Sequence, residues 1–217
     1  MITLSRAEAG RRLAVGLGAL IKEAPVVIAL SPGGVRVASE IARAFEAPLD
    51  VVAGLRLEVP GRFHSIFGAV ADASVIVLPD RVRALGLPED YVQSLVALAR
   101  LEVDRIARQW RAGVPPVGLK GCTVVLVDDG LSEAVLVEAT AGALRSQGVS
   151  RLIYAAPIAS PQLYAALETS CDERLLLFPV AAPVGPLICD PQFQQTTRFD
   201  VGTMIRRSRV ELAAAES

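Results

Sequence analysis

The chain has 217 residues, of which 52% are hydrophobic and only 5% aromatic. That length suits a single domain, large enough to bury a complete sheet with helices on both faces. The 22 basic and 23 acidic residues nearly balance, so charge gives no reason to expect binding to nucleic acid or to an acidic lipid surface.

Three widely spaced cysteines, Cys122, Cys171 and Cys189, form no Cys-x-x-Cys pair. We interpret them as reduced thiols, because an odd number without close spacing suits neither a disulfide framework nor a zinc site. The N-terminus has no apolar stretch of signal-peptide form, and no segment is long and apolar enough to span a bilayer. The sequence therefore predicts a soluble, cytoplasmic protein.

The first part of the chain predicts a helix and then a strand-loop-helix-strand unit. Ser5 and Glu8 form a capping-box pattern ahead of an apolar periodicity that extends to Leu20. The predicted elements that follow are a strand, a Gly-Gly loop, a helix and a second strand, at 26–30, 31–34, 35–45 and 49–57. Such a unit is expected to be parallel and right-handed.

The middle of the chain predicts an insertion that we expect to act as a lid. A connector with Pro and Gly carries His64, and a β-hairpin is predicted at 69–78. A long helix then begins at Pro88 and ends near Gly113. We therefore predict one domain over the whole chain, with a lid hairpin and a long helix inserted at 58–115.

The most informative pattern comes after this insertion. The β-branched run Thr123–Val127 stops at Asp128 and Asp129, Gly130 follows, and a helical pattern continues to Gly148. A buried parallel strand that ends in acids and turns through glycine into a helix is typical of a ligand site in open α/β sheets. The remaining predicted elements are a strand, a helix and a strand at 152–156, 161–168 and 175–178. The predicted fold class is α/β, with a mostly parallel sheet and helices on both faces.

The segment Asp128-Asp129-Gly130 resembles the ribose-phosphate loop of type I phosphoribosyltransferases, and the resemblance extends over about residues 5–200. It implies a phosphoribosyltransferase-like fold with a lid or hood, in which the two acids bind the ribose hydroxyls of phosphoribosyl pyrophosphate. It also implies that the following loop binds the 5′-phosphate through N–H groups at a helix N-terminus. Ser132 and Glu133 fall in that loop and are candidate substrate-binding residues. The alternative is that the acids only end a strand and cap a helix.

The loop departs from the family pattern at its phosphate cradle. Where the family has Thr-Gly-x-Thr, this chain has Glu133-Ala134-Val135-Leu136, which lacks both hydroxyls and the glycine. A carboxylate about 5 Å from a phosphate costs about 3 kcal/mol at an effective dielectric of about 20, which weakens binding by about 10²–10³. We therefore predict weak or absent binding of phosphoribosyl pyrophosphate. We also hypothesise that Glu133 itself caps the N–H groups of the helix.

A second segment, 31–38, resembles the family's pyrophosphate loop, which in one uncharacterised bacterial branch usually has the sequence Pro-Arg-Gly-Gly-Val-Pro-Val-Ala. Here Arg and Pro have exchanged places, so Pro32 offers neither a guanidinium nor an N–H group. The resemblance implies that Gly33, Gly34 and Arg36 would meet a pyrophosphate through Mg²⁺. The alternative is a Gly-Gly turn beside a solvent-facing Arg36.

Arg56 and His64 complete the candidate ligand residues. Leu55 and Arg56 end the predicted second strand where the bacterial branch has an Arg-Lys pair. His64, the only histidine, falls where the family lid carries a Glu. A histidine can titrate or donate to a ligand near neutral pH, and the alternative is an exposed lid residue with no special role.

Three functions remain open. We favour a phosphoribosyltransferase-family protein with degraded phosphate and pyrophosphate loops, whose ribose-phosphate or nucleotide binding is impaired or repurposed. The main alternative is an active Mg²⁺-dependent phosphoribosyltransferase with an unknown base or acceptor, and a third is an unrelated nucleotide-binding α/β protein. The expected partners are a phosphorylated small molecule and further copies of the chain, because the long helix at 88–110 carries an apolar stripe. No nucleic acid, membrane or protein-bound metal is expected.

Overall fold

The computed structural model describes residues 4–111, 113–178 and 198–215. Its helices are α1 Arg6–Leu17, α2 Pro32–Ala44, α3 Pro79–Leu85, α4 Glu89–Arg111, α5 Ala134–Ser146, α6 Pro161–Ser170 and α7 Arg198–Ala215. Its strands are β1 Val26–Ala29, β2 Leu49–Val51, β3 Gly54–Glu58, β4 Ile66–Ala71, β5 Ser74–Val77, β6 Thr123–Val127, β7 Arg151–Ala156 and β8 Glu173–Leu176.

Five parallel strands form the central sheet, in the order β2-β1-β6-β7-β8. Because successive side chains of a strand point to opposite faces, the sheet separates two cores. Val27 and Val125 pack in one core with residues of α1, α2 and α7. Ile28 and Leu126 pack in the other with residues of α5 and α6. Helices therefore cover both faces, and the predicted fold class is confirmed.

A second, antiparallel sheet has the order β3-β4-β5. The predicted hairpin is confirmed as β4 and β5, which join through a turn where Asp72 has a φ of 48°. The single strand predicted at 49–57 is wrong, because β2 belongs to the central sheet and β3 to the second one. Val52 and Ala53 between them are apolar and buried, so the local sign of the break in the sequence is Gly54, with which β3 begins.

The first turn of α2 also differs from the prediction. The helix expected from 35 begins at Pro32, with Ser31 as the N-cap. The Ser31 hydroxyl accepts a hydrogen bond from the N–H of Gly34 at 3.0 Å. Proline is well tolerated at the first helical position, where its missing N–H would have no helical partner. The predicted Gly-Gly loop is therefore the start of a helix.

The predicted long helix is confirmed as α4, and the short helix α3 before it was not predicted. The inner face of α4 packs on the main core through Val92, Val96, Val103, Ile106 and Trp110. Among the described residues, none of the helices combines the length and apolar character needed to cross a bilayer. The lid role of 58–115 and the single-domain boundary stay predictions.

Two of the three cysteines lie in the described part of the chain. Cys122 and Cys171 are free thiols, and Cys171 is buried. Burial raises the pKa of the Cys171 thiol to about 12, so this side chain stays protonated and unreactive near neutral pH. Cys189 lies outside the described residues.

Candidate functional site

A cleft of about 310 Å³ lies beside the carboxyl ends of β1 and β6, which are neighbours in the central sheet. It is lined by Ser31, Pro32, Gly33, Arg56, Asp129, Leu131, Ser132, Glu133 and Leu136. This edge of an open parallel sheet is where ligands bind, because the loops that leave adjacent strands meet there. Pro32 begins α2 and Glu133 is the N-cap of α5. Two helix N-termini therefore meet at one cleft.

Asp128 is fully buried and holds the loop that follows β6. Its carboxylate accepts hydrogen bonds from the N–H of Gly130 at 3.0 Å and from the N–H and hydroxyl of Ser132 at 3.2 and 2.8 Å. The hydroxyls of Ser31 and Tyr154 also donate to it, each at 3.3 Å. These five donors engage both carboxylate oxygens within the protein. For Asp128, these contacts agree with the alternative interpretation, in which the acid ends a strand.

The surroundings of Asp128 shift its pKa upward. Burial, and next the charge of Asp129, raise the pKa of Asp128 above its ordinary value, although the hydrogen bonds from Ser132 and Gly130 act to lower it. Burial, followed by the Asp128 carboxylate, raises the pKa of Tyr154 well above its ordinary value. Tyr154 is therefore neutral, and its hydroxyl donates a hydrogen bond to Asp128.

Asp129 lines the cleft, and its carboxylate is paired with Arg6. Nη2 and Nε of Arg6 lie 2.7 and 3.2 Å from Oδ2 of Asp129. The two side chains are only 11% and 6% exposed. Arg6 is the first residue of α1, and the sequence interpretation missed it. A cation at a helix N-terminus opposes the helix dipole, and this conflict is the signal that could have identified it.

Glu133 occupies the N-cap position of α5 but its side chain does not cap the helix. Its carboxylate instead accepts a hydrogen bond from Nη1 of Arg56 at 2.7 Å. The hypothesis that Glu133 caps the helix is therefore wrong. Charge-assisted bonds are stronger than neutral ones, and glutamate is not among the preferred N-cap residues. The pair is 46% and 38% exposed, so it contributes only about 0–1 kcal/mol and can open.

The two helix N-termini differ in what they offer an anion. At α2 the Ser31 hydroxyl already binds the Gly34 N–H, and Pro32 has no N–H group. At α5 there is no side-chain cap, and Arg56 lies beside the first turn. Uncapped N–H groups and the helix dipole attract anions. The α5 end is therefore the stronger candidate for binding a phosphate.

Close approaches of neighbouring atoms explain the three glycines of the site. A Cβ on Gly33 would overlap Oδ2 of Asp129, and one on Gly34 would lie 2.9 Å from the carbonyl oxygen of Val127. Gly130 has a φ of 89°, and a Cβ there would lie 2.5 Å from the Ile158 side chain. Glycine alone fits both the left-handed backbone and the contact at Gly130.

The cleft contains some of the predicted ligand residues and not others. The predicted residues that line it are Gly33, Arg56, Asp129, Ser132 and Glu133. Asp128 and Gly130 form the loop beneath. Arg36 is half-buried further along α2, and Gly34 is buried behind the helix start. His64 is exposed in the loop between β3 and β4, where its carbonyl accepts a hydrogen bond from Arg81.

The sheet order, the acids that follow β6 and the cleft between two helix N-termini define a phosphoribosyltransferase-like α/β protein. No family model matches the chain. It is 32% identical over 211 residues to "Putative phosphoribosyl transferase MT0597" and "Putative phosphoribosyl transferase Rv0571c" of two Mycobacterium tuberculosis strains. Each match covers 97% of this chain and 48% of the relative, so the chain spans about half the length of these curated proteins.

A solved structure gives a match over nearly the full length of both chains. TT1426 from Thermus thermophilus is 32% identical, with a TM-score of 0.77, and the match covers 95% of this chain and 99% of that one. The chain is therefore similar over 97% of its length to proteins named putative phosphoribosyl transferases, which agrees with the resemblance of its strand-acid-glycine segment.

Proposed function

We propose that the cleft binds a phosphorylated ribose compound, such as ribose 5-phosphate or a nucleoside monophosphate, and that phosphoribosyl transfer is impaired. The observation that carries this proposal is the Arg56–Glu133 pair beside the uncapped N-terminus of α5. Similarity to proteins named putative phosphoribosyl transferases supports a ribose-phosphate ligand. The pairing of Arg56 with Glu133 supports impaired phosphoribosyl transfer.

Binding of one phosphate is supported by the exposure of the Arg56–Glu133 pair. An entering phosphate would replace Glu133 as the partner of Arg56 and would face the first N–H groups of α5. Opening an exposed pair costs about 0–1 kcal/mol, less than the cost of about 3 kcal/mol for a fixed carboxylate about 5 Å from the phosphate. Phosphate oxygens also form strong charge-assisted hydrogen bonds. The loop therefore keeps affinity for a monophosphate.

Impaired transfer is supported by the start of α2. The enzymes of this family must stabilise a departing pyrophosphate, and donors aimed at developing charge supply most of that stabilisation. Here Pro32 lacks an N–H, the Ser31 hydroxyl is bound within the protein, and Arg36 does not line the cleft. The α2 side thus provides few donors for pyrophosphate, and the leaving group would be poorly stabilised.

Three further expectations belong to this proposal. Among the described residues no group of three or more His, Cys, Asp or Glu side chains suits a metal ion, so Mg²⁺ would be bound through the pyrophosphate of a ligand. The free thiols of Cys122 and Cys171 support a cytoplasmic location. The exposed leucines of α4 support self-association.

Calorimetric titration tests the proposal with three ligands: ribose 5-phosphate, ribose, and phosphoribosyl pyrophosphate with Mg²⁺. We expect ribose 5-phosphate to bind, ribose to give no heat, and phosphoribosyl pyrophosphate to bind within about 10-fold of ribose 5-phosphate. Affinity for phosphoribosyl pyrophosphate more than about 100-fold higher, with pyrophosphate release in the presence of a base, would establish the active transferase. No heat from either phosphorylated ligand at about 1 mM would contradict binding.

A restoring variant tests whether the cleft is the family's ligand site. Glu133→Thr, Ala134→Gly, Leu136→Thr and Pro32→Arg together rebuild the phosphate cradle and add a guanidinium at the start of α2. We expect this variant to bind phosphoribosyl pyrophosphate more tightly than the wild type. A folded variant with no gain in affinity would count against the shared site.

A further inference from the structure

The two acids that follow β6 differ in what they can still offer a ligand. Asp128 is fully buried and lies beneath the cleft. Its carboxylate already accepts five hydrogen bonds within the protein, whereas a carboxylate has about four acceptor positions. Asp129, in contrast, lines the cleft. A sugar bound in the cleft therefore meets the carboxylate of Asp129 and not that of Asp128.

One oxygen of Asp129 is also used within the protein. Nη2 and Nε of Arg6 both donate to Oδ2, at 2.7 and 3.2 Å. These two donors occupy the two lone pairs of that oxygen. Across the described residues, the hydrogen bonds of Asp129 all end on Oδ2. Oδ1 is therefore the acceptor that Asp129 presents to a ligand.

The position of Arg6 is fixed by the packing of α1 on α2. The two helices touch so closely that a Cβ on Gly10 would overlap the carbonyl oxygen of Val37. Leu13, three residues further along α1, is fully buried. A cation in the first turn of a helix lies at the positive end of the dipole, and the Asp129 carboxylate compensates it. Arg6 therefore keeps its contact with Oδ2 when a ligand enters.

We infer that Arg6 sets the sugar selectivity of the cleft, because it leaves Asp129 a single oxygen for the two hydroxyls of a ribose. This inference rests on the proposed function, in which the cleft binds a 5′-phosphorylated ribose. One hydroxyl donates a well-aligned hydrogen bond to Oδ1, and its neighbour meets no second oxygen of the acidic pair. The ligand class therefore includes pentose 5-phosphates that keep only one of the two hydroxyls, as deoxyribonucleotides do.

The expected selectivity follows from the strength of one hydrogen bond. Loss of a hydrogen bond to a charged group weakens binding by about 10-fold or more. A site with one acceptor for each hydroxyl loses that factor when either hydroxyl is removed. With a single acceptor, removal of the hydroxyl that Oδ1 does not bind costs nothing, and only removal of both hydroxyls always breaks the bond.

Calorimetric titration with four nucleotides tests the inference: AMP, 2′-deoxy-AMP, 3′-deoxy-AMP and 2′,3′-dideoxy-AMP. Their base and phosphate are the same, so the ratios of their affinities isolate the hydroxyls. We expect at least one of the two singly deoxygenated nucleotides to bind within about 3-fold of AMP, and the dideoxynucleotide to bind at least about 10-fold more weakly than AMP.

Two results would overturn the inference and leave the proposed function standing. One is a loss of about 10-fold or more for both singly deoxygenated nucleotides, and the other is a dideoxynucleotide that binds as tightly as AMP. No heat from any of the four, or from ribose 5-phosphate, would overturn the proposed function and this inference with it.

Substitution of Arg6 tests its role as a positioning residue. In Arg6→Met the Asp129 carboxylate is free to present both oxygens, so both singly deoxygenated nucleotides should bind at least about 10-fold more weakly than AMP. The lost cation lowers the affinity for all four nucleotides alike, so the ratios report the hydroxyls alone. Arg6→Lys still donates to Oδ2 and should keep the wild-type ratios.

Arg12→Met is the matched control for Arg6→Met. Arg12 lies on the same helix, is 54% exposed and pairs with Glu8, so its substitution should leave the wild-type ratios unchanged. Circular dichroism verifies that all variants are folded. Wild-type ratios in a folded Arg6→Met variant would overturn the role of Arg6, and the nucleotide series on the wild type tests the single oxygen independently of any variant.

Discussion

Arg6 and Asp129 lie 123 positions apart in the chain, yet Nη2 of Arg6 is 2.7 Å from Oδ2 of Asp129. The pair connects α1 with the cleft at the end of β6, so a helix with no ligand pattern in its sequence becomes part of the site. Both side chains are nearly inaccessible to solvent. Any ligand that uses Asp129 must therefore share its carboxylate with a guanidinium supplied by the protein.

Removing one partner of this pair should destabilise the protein strongly. Arg6→Met leaves the Asp129 carboxylate buried without its cation, and breaking a buried ion pair in this way costs about 3 kcal/mol. Arg6→Met/Asp129→Asn should recover much of that loss, because no charge is then left uncompensated. Urea unfolding followed by circular dichroism measures both values.

An exposed ion pair provides the control for this measurement. Nε of Arg207 lies 2.7 Å from Oε1 of Glu211 on α7, and Arg207 is 73% exposed. Arg207→Met should change the free energy of unfolding by less than about 0.5 kcal/mol, since exposed pairs contribute little. A loss for Arg6→Met no larger than that for Arg207→Met would show that the Arg6–Asp129 pair does not stabilise the fold.

Neutralising Glu133 should strengthen phosphate binding. In Glu133→Gln, the amide would keep a hydrogen-bond acceptor for Arg56 but would remove the negative charge from the mouth of the anion site. We expect the affinity of this variant for ribose 5-phosphate to rise about 10-fold. Arg56→Met should lower it, because the cation that would bind the phosphate is then absent. Calorimetric titration measures both changes.

Glu168→Gln is the matched control for the change at Glu133. Glu168 also accepts a hydrogen bond from an arginine, Arg174, at 2.8 Å, but it lies on α6 and does not line the cleft. Glu168→Gln removes the same charge from an Arg–Glu pair whose glutamate is 61% exposed, and it should leave ligand affinity unchanged. An equal gain in affinity for both variants would indicate an effect of net charge alone.

Gly33 should tolerate no side chain. A Cβ there would overlap Oδ2 of Asp129 and lie 2.7 Å from Nη2 of Arg6, so Gly33→Ala would force the ion pair apart. We expect a loss of about 1–3 kcal/mol, although alanine favours a helix more than glycine does. Gly118→Ala is the control, because a Cβ there meets no atom within 4 Å. Thermal unfolding in which both variants melt like the wild type would contradict the contact at Gly33.

The parts of the fold that the sequence predicted are the local ones. The run Thr123–Val127, its two acids and Gly130 are contiguous, so periodicity and composition indicate a strand, a turn and a helix without knowledge of the rest. The capping pattern at Ser5 is equally local, and its hydroxyl does accept the N–H of Glu8 at 3.1 Å. The alternation of such units was enough to predict a parallel sheet with helices on both faces.

The parts that the sequence did not predict depend on contacts between distant residues. Arg56 and Glu133 are 77 positions apart, and nothing near Glu133 in sequence indicates that its carboxylate would be drawn away from the helix. The same limit applies to Arg6 and Asp129. The division of 49–57 into two strands is another example, because the buried residues Val52 and Ala53 continue the apolar run while the chain passes to another sheet.

The buried Asp128 should make stability depend on pH. Burial, and next the charge of Asp129, raise the pKa of this carboxyl above its ordinary value. The folded protein therefore holds the proton more tightly than the unfolded chain does. The resulting stabilisation is fully present below the ordinary pKa of about 4 and is lost as the pH rises through the raised value.

We expect the free energy of unfolding of the wild type to fall, relative to that of Asp128→Asn, as the pH increases from about 4 towards neutrality. Urea unfolding of both proteins across that window measures the difference, and a difference that instead moves in favour of the wild type would show that the hydrogen bonds from Ser132 and Gly130 outweigh burial.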